Sequence, residues 1–88
     1  MTSKHDVVDA LRRAAEALIG RSLTPDEVTQ LIDLFNRADG SYREKAREAL
    51  RRFTGLSEAQ IREKTAASDN TDRVITDLHD ILDKWKPK

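Results

Sequence analysis

Eighty-eight residues, 38% of them hydrophobic and 36% charged, are enough for one folded domain and too few for a second independent core. Sixteen Lys and Arg balance sixteen Asp and Glu, so no net field draws the chain towards DNA, RNA or an anionic membrane. The absence of cysteine excludes a disulfide framework and a thiolate zinc site.

Residues 1–9 lack the apolar stretch of a secretory signal, and no apolar run approaches the roughly 20 residues of a membrane span. The expected location is therefore the cytoplasm.

Four times a Ser or Thr precedes an acid or amide by three residues, ahead of an apolar repeat: Ser3/Asp6, Thr24/Glu27, Ser41/Glu44 and Ser57/Gln60. Each reads as a capping box. The hydroxyl accepts from the backbone N–H three residues on, and the third side chain accepts from the cap's own N–H. Asp is a poorer third residue than Glu or Gln, which makes the first box the weakest of the four.

The first helix is predicted from Lys4 to Ile19, with Val7, Val8, Leu11, Ala14, Ala15, Leu18 and Ile19 on one stripe of a 3.6-residue period and Gly20 as its stop. The second starts at Thr24. Pro25 takes the first helical position, where its missing N–H costs nothing, and Leu23 with Val28 forms a hydrophobic staple. Val28, Leu31, Ile32, Phe35 and Ala38 make its stripe, and Asp39-Gly40 ends it. Leu34 falls about 100° off that stripe and is predicted to be exposed.

The third helix, Tyr42 to Phe53, presents Tyr42, Ala46, Ala49, Leu50 and Phe53, with Gly55 as its stop. A fourth follows Ser57, stapled by Leu56 and Ile61. Ile61 is its one large aliphatic, so this helix depends on its neighbours and is the segment expected to open most readily. Residues 66–71 read as a polar break with Ser68, Asp69 or Asn70 as the next cap. The fifth helix carries Val74, Ile75, Leu78, Ile81, Leu82 and Trp85, with Lys84, Lys86 and Lys88 suiting its dipole and Pro87 stopping it. No segment alternates as a strand does. The expected fold is all-α: a single domain, residues 1–88, forming a compact five-helix bundle of orthogonal and antiparallel helices.

Reactive constellations are scarce. His5 with Asp9 and His79 with Asp83 stand at i,i+4, a spacing that can offer two ligands to one metal, but no third or fourth ligand accompanies either pair. Nucleophile elbows, Gly-rich phosphate loops and His-Glu-x-x-His are missing, and the serines are used as caps. The Asp39-Gly40 turn imitates a calcium loop until it is indexed: with Gly40 at loop position 6, Phe35, Arg37 and Ala46 fall where carboxylates must stand. No cofactor, no metal, no small-molecule substrate and no catalysis are expected.

Residues 46–67 have the outline of a helix-turn-helix. Gly55 supplies the turn, Leu56 the plug and Ile61 an inward residue, yet Arg51 occupies the position that must be small and Lys64 one that should be aliphatic. The third helix is locally basic: Arg43, Lys45, Arg47, Arg51 and Arg52 face only Glu44 and Glu48, a net +3. Arg43, Arg47 and Arg51 recur every four residues and could track phosphates. Residues 26–39 net −3 and residues 69–83 net −4, so charge is segregated between helices.

That segregation favours a protein-interaction module of adaptor, regulatory or inhibitory type, whose partner is another protein or a second copy. Candidate contact residues are the Arg43/Arg47/Arg51 ridge, Leu34 as an exposed anchor, and Trp85, expected in the core but of a type enriched at contact hot spots. A nucleic-acid-binding regulator using the degenerate helix-turn-helix is the less favoured alternative.

Overall fold

The structure, a computed structural model, describes residues 3–85 and contains five helices in chain order: α1 (Lys4–Ile19), α2 (Pro25–Arg37), α3 (Tyr42–Thr54), α4 (Glu58–Ala67) and α5 (Asp69–Lys84). No strand occurs among the described residues. The all-α, five-helix expectation holds. Lys86, Pro87 and Lys88, read as the end of the last helix, lie outside the described residues.

Each helix begins at a hydroxyl. Ser3, Thr24 and Ser57 close complete capping boxes with Asp6, Glu27 and Gln60, including the Ser3 box expected to be weakest. The half-formed box is instead at Ser41. Its Oγ accepts from the Glu44 N–H at 3.2 Å, but the Glu44 carboxylate accepts from the Ser41 hydroxyl rather than the Ser41 N–H. Gly40 explains the departure. Its backbone is left-handed (φ 102°), and a Cβ there would meet Glu44 Oε2 at 2.5 Å. The carboxylate occupies the space a side chain would need.

At Thr24 the box extends into the α1–α2 connection. Arg21 donates to the Glu27 carboxylate at 2.8 Å, and the Thr24 N–H donates to the same group at 3.0 Å. The Arg21 contact first, and the Thr24 N–H second, lower the Glu27 pKa to about 2.

Between α4 and α5 the predicted break of residues 66–71 shrinks to Ser68 alone. Ser68 is extended (φ −139°, ψ 119°), ends α4, and caps α5 by accepting from the Thr71 N–H. Ala66 and Ala67 continue α4 because alanine is the best helix former. Asp69 lies in the first turn of α5, where the helix dipole favours an acid.

α1 packs against each of the other four helices, and α2 lies chiefly along α3. The core comprises Val7, Ala10, Leu11, Ala14, Ala15 and Leu18 of α1, Leu31 and Phe35 of α2, Ala46, Ala49 and Leu50 of α3, and Leu78 and Leu82 of α5. No residue of α4 is fully buried, in line with its thin apolar face. The Cα radius of gyration, 11.9 Å, matches the roughly 12 Å of a collapsed chain of this length.

Helix rotation departs from the predicted stripes in two places. Val8 and Ile19 are half-exposed, and Ala10 takes the inward position on α1. On α2, Leu34 is half-buried and packs against the core, contrary to its expected exposure. Because α2 leans on α3 more than on α1, its inward face is turned towards Leu34, leaving Val28 and Ile32 half-exposed at the opposite edge.

Trp85 caps α5 and closes an aromatic cluster at one end of the bundle. Its ring centroid lies 4.7 Å from that of Tyr42 and 6.5 Å from that of Phe35. The Lys45 ammonium stands 5.4 Å from the Phe35 centroid, within cation–π range.

Candidate functional site

The arginine ridge of α3 exists, but each of its members meets a carboxylate. Arg43 donates twice to Asp83 of α5, at 2.9 and 2.7 Å, a bidentate pair between the basic and the acidic helix. Arg51 turns back to Glu48, which also accepts from Arg52 at 2.6 Å. Arg47 reaches across to Glu58 of α4 at 3.6 Å. Arg43 and Arg47 thus tie α3 to its neighbours while Arg51 pairs within α3, and the ridge is not a bare cationic track.

The helix-turn-helix outline is equally partial. Gly55 is left-handed (φ 73°), Leu56 and Ile61 pack against the core, and Thr54 braces the turn by donating to the Leu50 carbonyl and accepting from the Leu56 N–H. Instead of seating on α3, however, α4 rests on α5 and α1. Arg51 and Lys64, the two residues that break the packing pattern, are both exposed.

What the third and fourth helices leave between them is an open groove of about 370 Å³ over α5. Its floor is Ile75 and Leu78, one wall is Ala46 and Leu50, and the other is Ile61, Thr65 and Ala66. The Thr65 hydroxyl donates to the Ile61 carbonyl at 2.8 Å, so this polar group is satisfied within its own helix. Arg47, Glu58, Arg62, Asp72 and His79 form the rim. An apolar surface ringed by charge gains free energy on being covered, because apolar area leaves water while the rim stays solvated.

Three other clefts are larger: about 500 Å³ between α2 and α3, about 450 Å³ between α1 and α5, and about 420 Å³ where α1 and the α1–α2 connection meet the start of α5. All have charged walls: Glu44, Arg47, Glu48 and Arg52 in the first, Asp6, Asp9, Asp77 and Asp80 with Arg13 and Lys84 in the second, and Arg13, Glu16 and Arg21 in the third. Drying such a trough desolvates ions for little return.

The predicted contact residues are dispersed. Arg47 stands on the groove rim, and Leu34 lines the α2–α3 cleft. Arg43 is held by Asp83, Arg51 by Glu48, and Trp85 is half-buried in the aromatic cluster. Ile61 and Ile75, central to the groove, stand on the apolar stripes of the sequence as core positions. Their one warning sign was the thinness of the α4 apolar face.

Neither histidine pair gathers further ligands. Asp9 is engaged by Arg12 and Arg13, Asp83 by Arg43, and no group of three metal-binding side chains forms among the described residues. His79 is half-buried on the groove rim, and its pKa lies below the ordinary value. Burial is the main cause, followed by Arg43 and Arg47 of α3, with Asp83 and Asp80 of α5 opposing. Glu58 of α4 shares the rim.

A histidine whose folded-state pKa is depressed contributes stability above its unfolded value, near 6.5, and loses it as pH falls towards the folded value. The wild type is therefore expected to lose more stability than His79→Gln between pH 7.5 and 5.5. Urea titrations at the two pH values check this; equal losses would mean that His79 charges freely in the folded protein.

No described helix is long and apolar enough to cross a membrane. No protein-family model, curated protein or solved structure matches the chain.

Proposed function

We propose that this protein is a cytoplasmic, non-catalytic protein-interaction module of adaptor, regulatory or inhibitory type, and that the groove between α3 and α4 is its docking surface. The observation that carries the reading is the half-open apolar channel over Ile75 and Leu78, walled by three helices and rimmed by charge. Helix-in-groove recognition uses such a surface: an apolar ridge of one protein enters a channel of another. The intramolecular pairing of Arg43, Arg47 and Arg51 supports this reading over the nucleic-acid alternative, because phosphates would have to displace carboxylates already in place.

Ala66 offers a mild test. It is exposed, lies on the groove wall and sits in the last turn of α4, where an arginine suits the helix dipole. Ala66→Arg should change stability by no more than about 0.5 kcal/mol while placing a long cation in the channel. The expected result is that partner proteins retained from host extract by the wild type are lost with Ala66→Arg. Retention of the same proteins by both forms would defeat the proposal. So would micromolar, steeply salt-dependent binding to duplex DNA that disappears in the Arg43/Arg47/Arg51→Glu variant.

A further inference from the structure

The groove is electrically lopsided along its length. Arg47 from one wall and Arg62 from the other both address a single oxygen, Glu58 Oε1, at 3.6 and 3.5 Å. Two guanidiniums share one carboxylate, and neither makes the close bidentate pair that Arg43 makes with Asp83. On the groove rim, this end sets two guanidiniums against one carboxylate.

Asp72 marks the other end. It lies seven residues before His79 on α5, and at 1.5 Å per residue the two are separated by about 10 Å, nearly two turns of helix. Asp72 makes no ion pair among the described residues. The small, exposed side chain of Ala66 lets a backbone approach the α4 wall closely between these poles.

Resting on the docking reading above, we propose that the groove receives an amphipathic helix of a partner protein in one orientation, with aliphatic anchors against Ile61 and Ile75, a carboxylate at the Arg47–Arg62 end and a basic side chain two turns away at Asp72. The incoming carboxylate completes the half-filled coordination of the two arginines. The basic residue answers Asp72, and reversing the helix would oppose like charges at both ends.

A displayed library of 14-residue helices supplies the probe: an aliphatic i, i+3/i+4, i+7 frame with all flanking positions randomised, selected on the full-length protein. Expected binders carry Asp or Glu at one end of the frame and Lys or Arg at the other. Arg47 and Arg62 are exposed and meet Glu58 only at 3.6 and 3.5 Å, so their replacement should leave the fold intact, as circular dichroism checks. The enriched peptides should bind Arg47→Gln/Arg62→Gln about tenfold more weakly, and selection on Arg47→Glu/Arg62→Glu should switch the acidic end to basic.

Binders that are abolished by Ala66→Arg yet show no charge bias would overturn this inference and leave the docking reading standing. Binders indifferent to Ala66→Arg, or a library with none, would overturn both. Concentration-dependent dimerisation lost in Ala66→Arg would assign the groove to a second copy of this chain and overturn the inference too.

Discussion

Leu11→Ala is expected to cost about 2–5 kcal/mol, the range for removing a fully buried leucine where the surroundings relax only in part. Leu11 is 2% exposed and sits in the middle of α1, the helix that packs on all four others. A cavity there is bordered by several elements, and closing it would require more than one of them to move. A domain of this size holds roughly 4–13 kcal/mol in total, so the loss is a large share of the whole. At about 4–8 °C per kcal/mol for a small domain, the melting temperature should fall by at least about 8 °C. Circular dichroism melts read this directly. A shift of only a degree or two would mean that α1 is peripheral and that the core is centred elsewhere.

The opposite change should also be severe. Ala14 and Ala15 of α1 and Ala49 of α3 are all 0% exposed and Ala46 of α3 is 1% exposed, so these two contacting helices carry only methyl groups at those buried positions. Helices can approach closely only where the facing side chains are small. Ala49→Leu adds three carbons where no space exists, and the helices must separate or the leucine must leave its rotamer well. The expected cost is about 1–3 kcal/mol, read as a lower urea midpoint with an unchanged slope. Ala59→Leu is the control: Ala59 is exposed on α4, and leucine there should stay within about 0.5 kcal/mol of wild type. Equal behaviour of the two variants would show that the α1–α3 contact is loose. Because α3 also forms a groove wall, Ala49→Leu should weaken groove binders as well, whereas Leu11→Ala should weaken them only through unfolding.

The helix boundaries were legible because their causes span three or four residues. Thr24, Pro25 and Glu27 act on each other's backbone whatever the rest of the chain does, and α2 starts where they place it. Ser57 with Gln60, and Gly20 and Gly55 in left-handed conformations, are equally local. Where three caps competed, at Ser68, Asp69 and Asn70, local chemistry did not choose. The one-residue joint at Ser68 depends on how α4 and α5 lie against each other.

Rotation was less legible than extent. A helical wheel identifies a face but not which edge of it meets a neighbour, and Leu34 became half-buried once α2 settled along α3. The arginines show the same limit. Their i+4 spacing marked a ridge, but the carboxylates that answer Arg43 and Arg47 come from other helices, forty and eleven residues away in sequence.

By its sequence alone this chain determined that it would be helical, where the first four helices would begin, and that α4 would carry the thinnest apolar face, since caps, propensities and stripes act within a turn or two. The groove over Ile75 and Leu78, the shared carboxylate of Glu58 and the inward turn of Leu34 were decided only by tertiary structure. The physical reason is that they are properties of the spacing between helices. That spacing is set by side chains distant in sequence competing to leave water, and no window of one helix contains it.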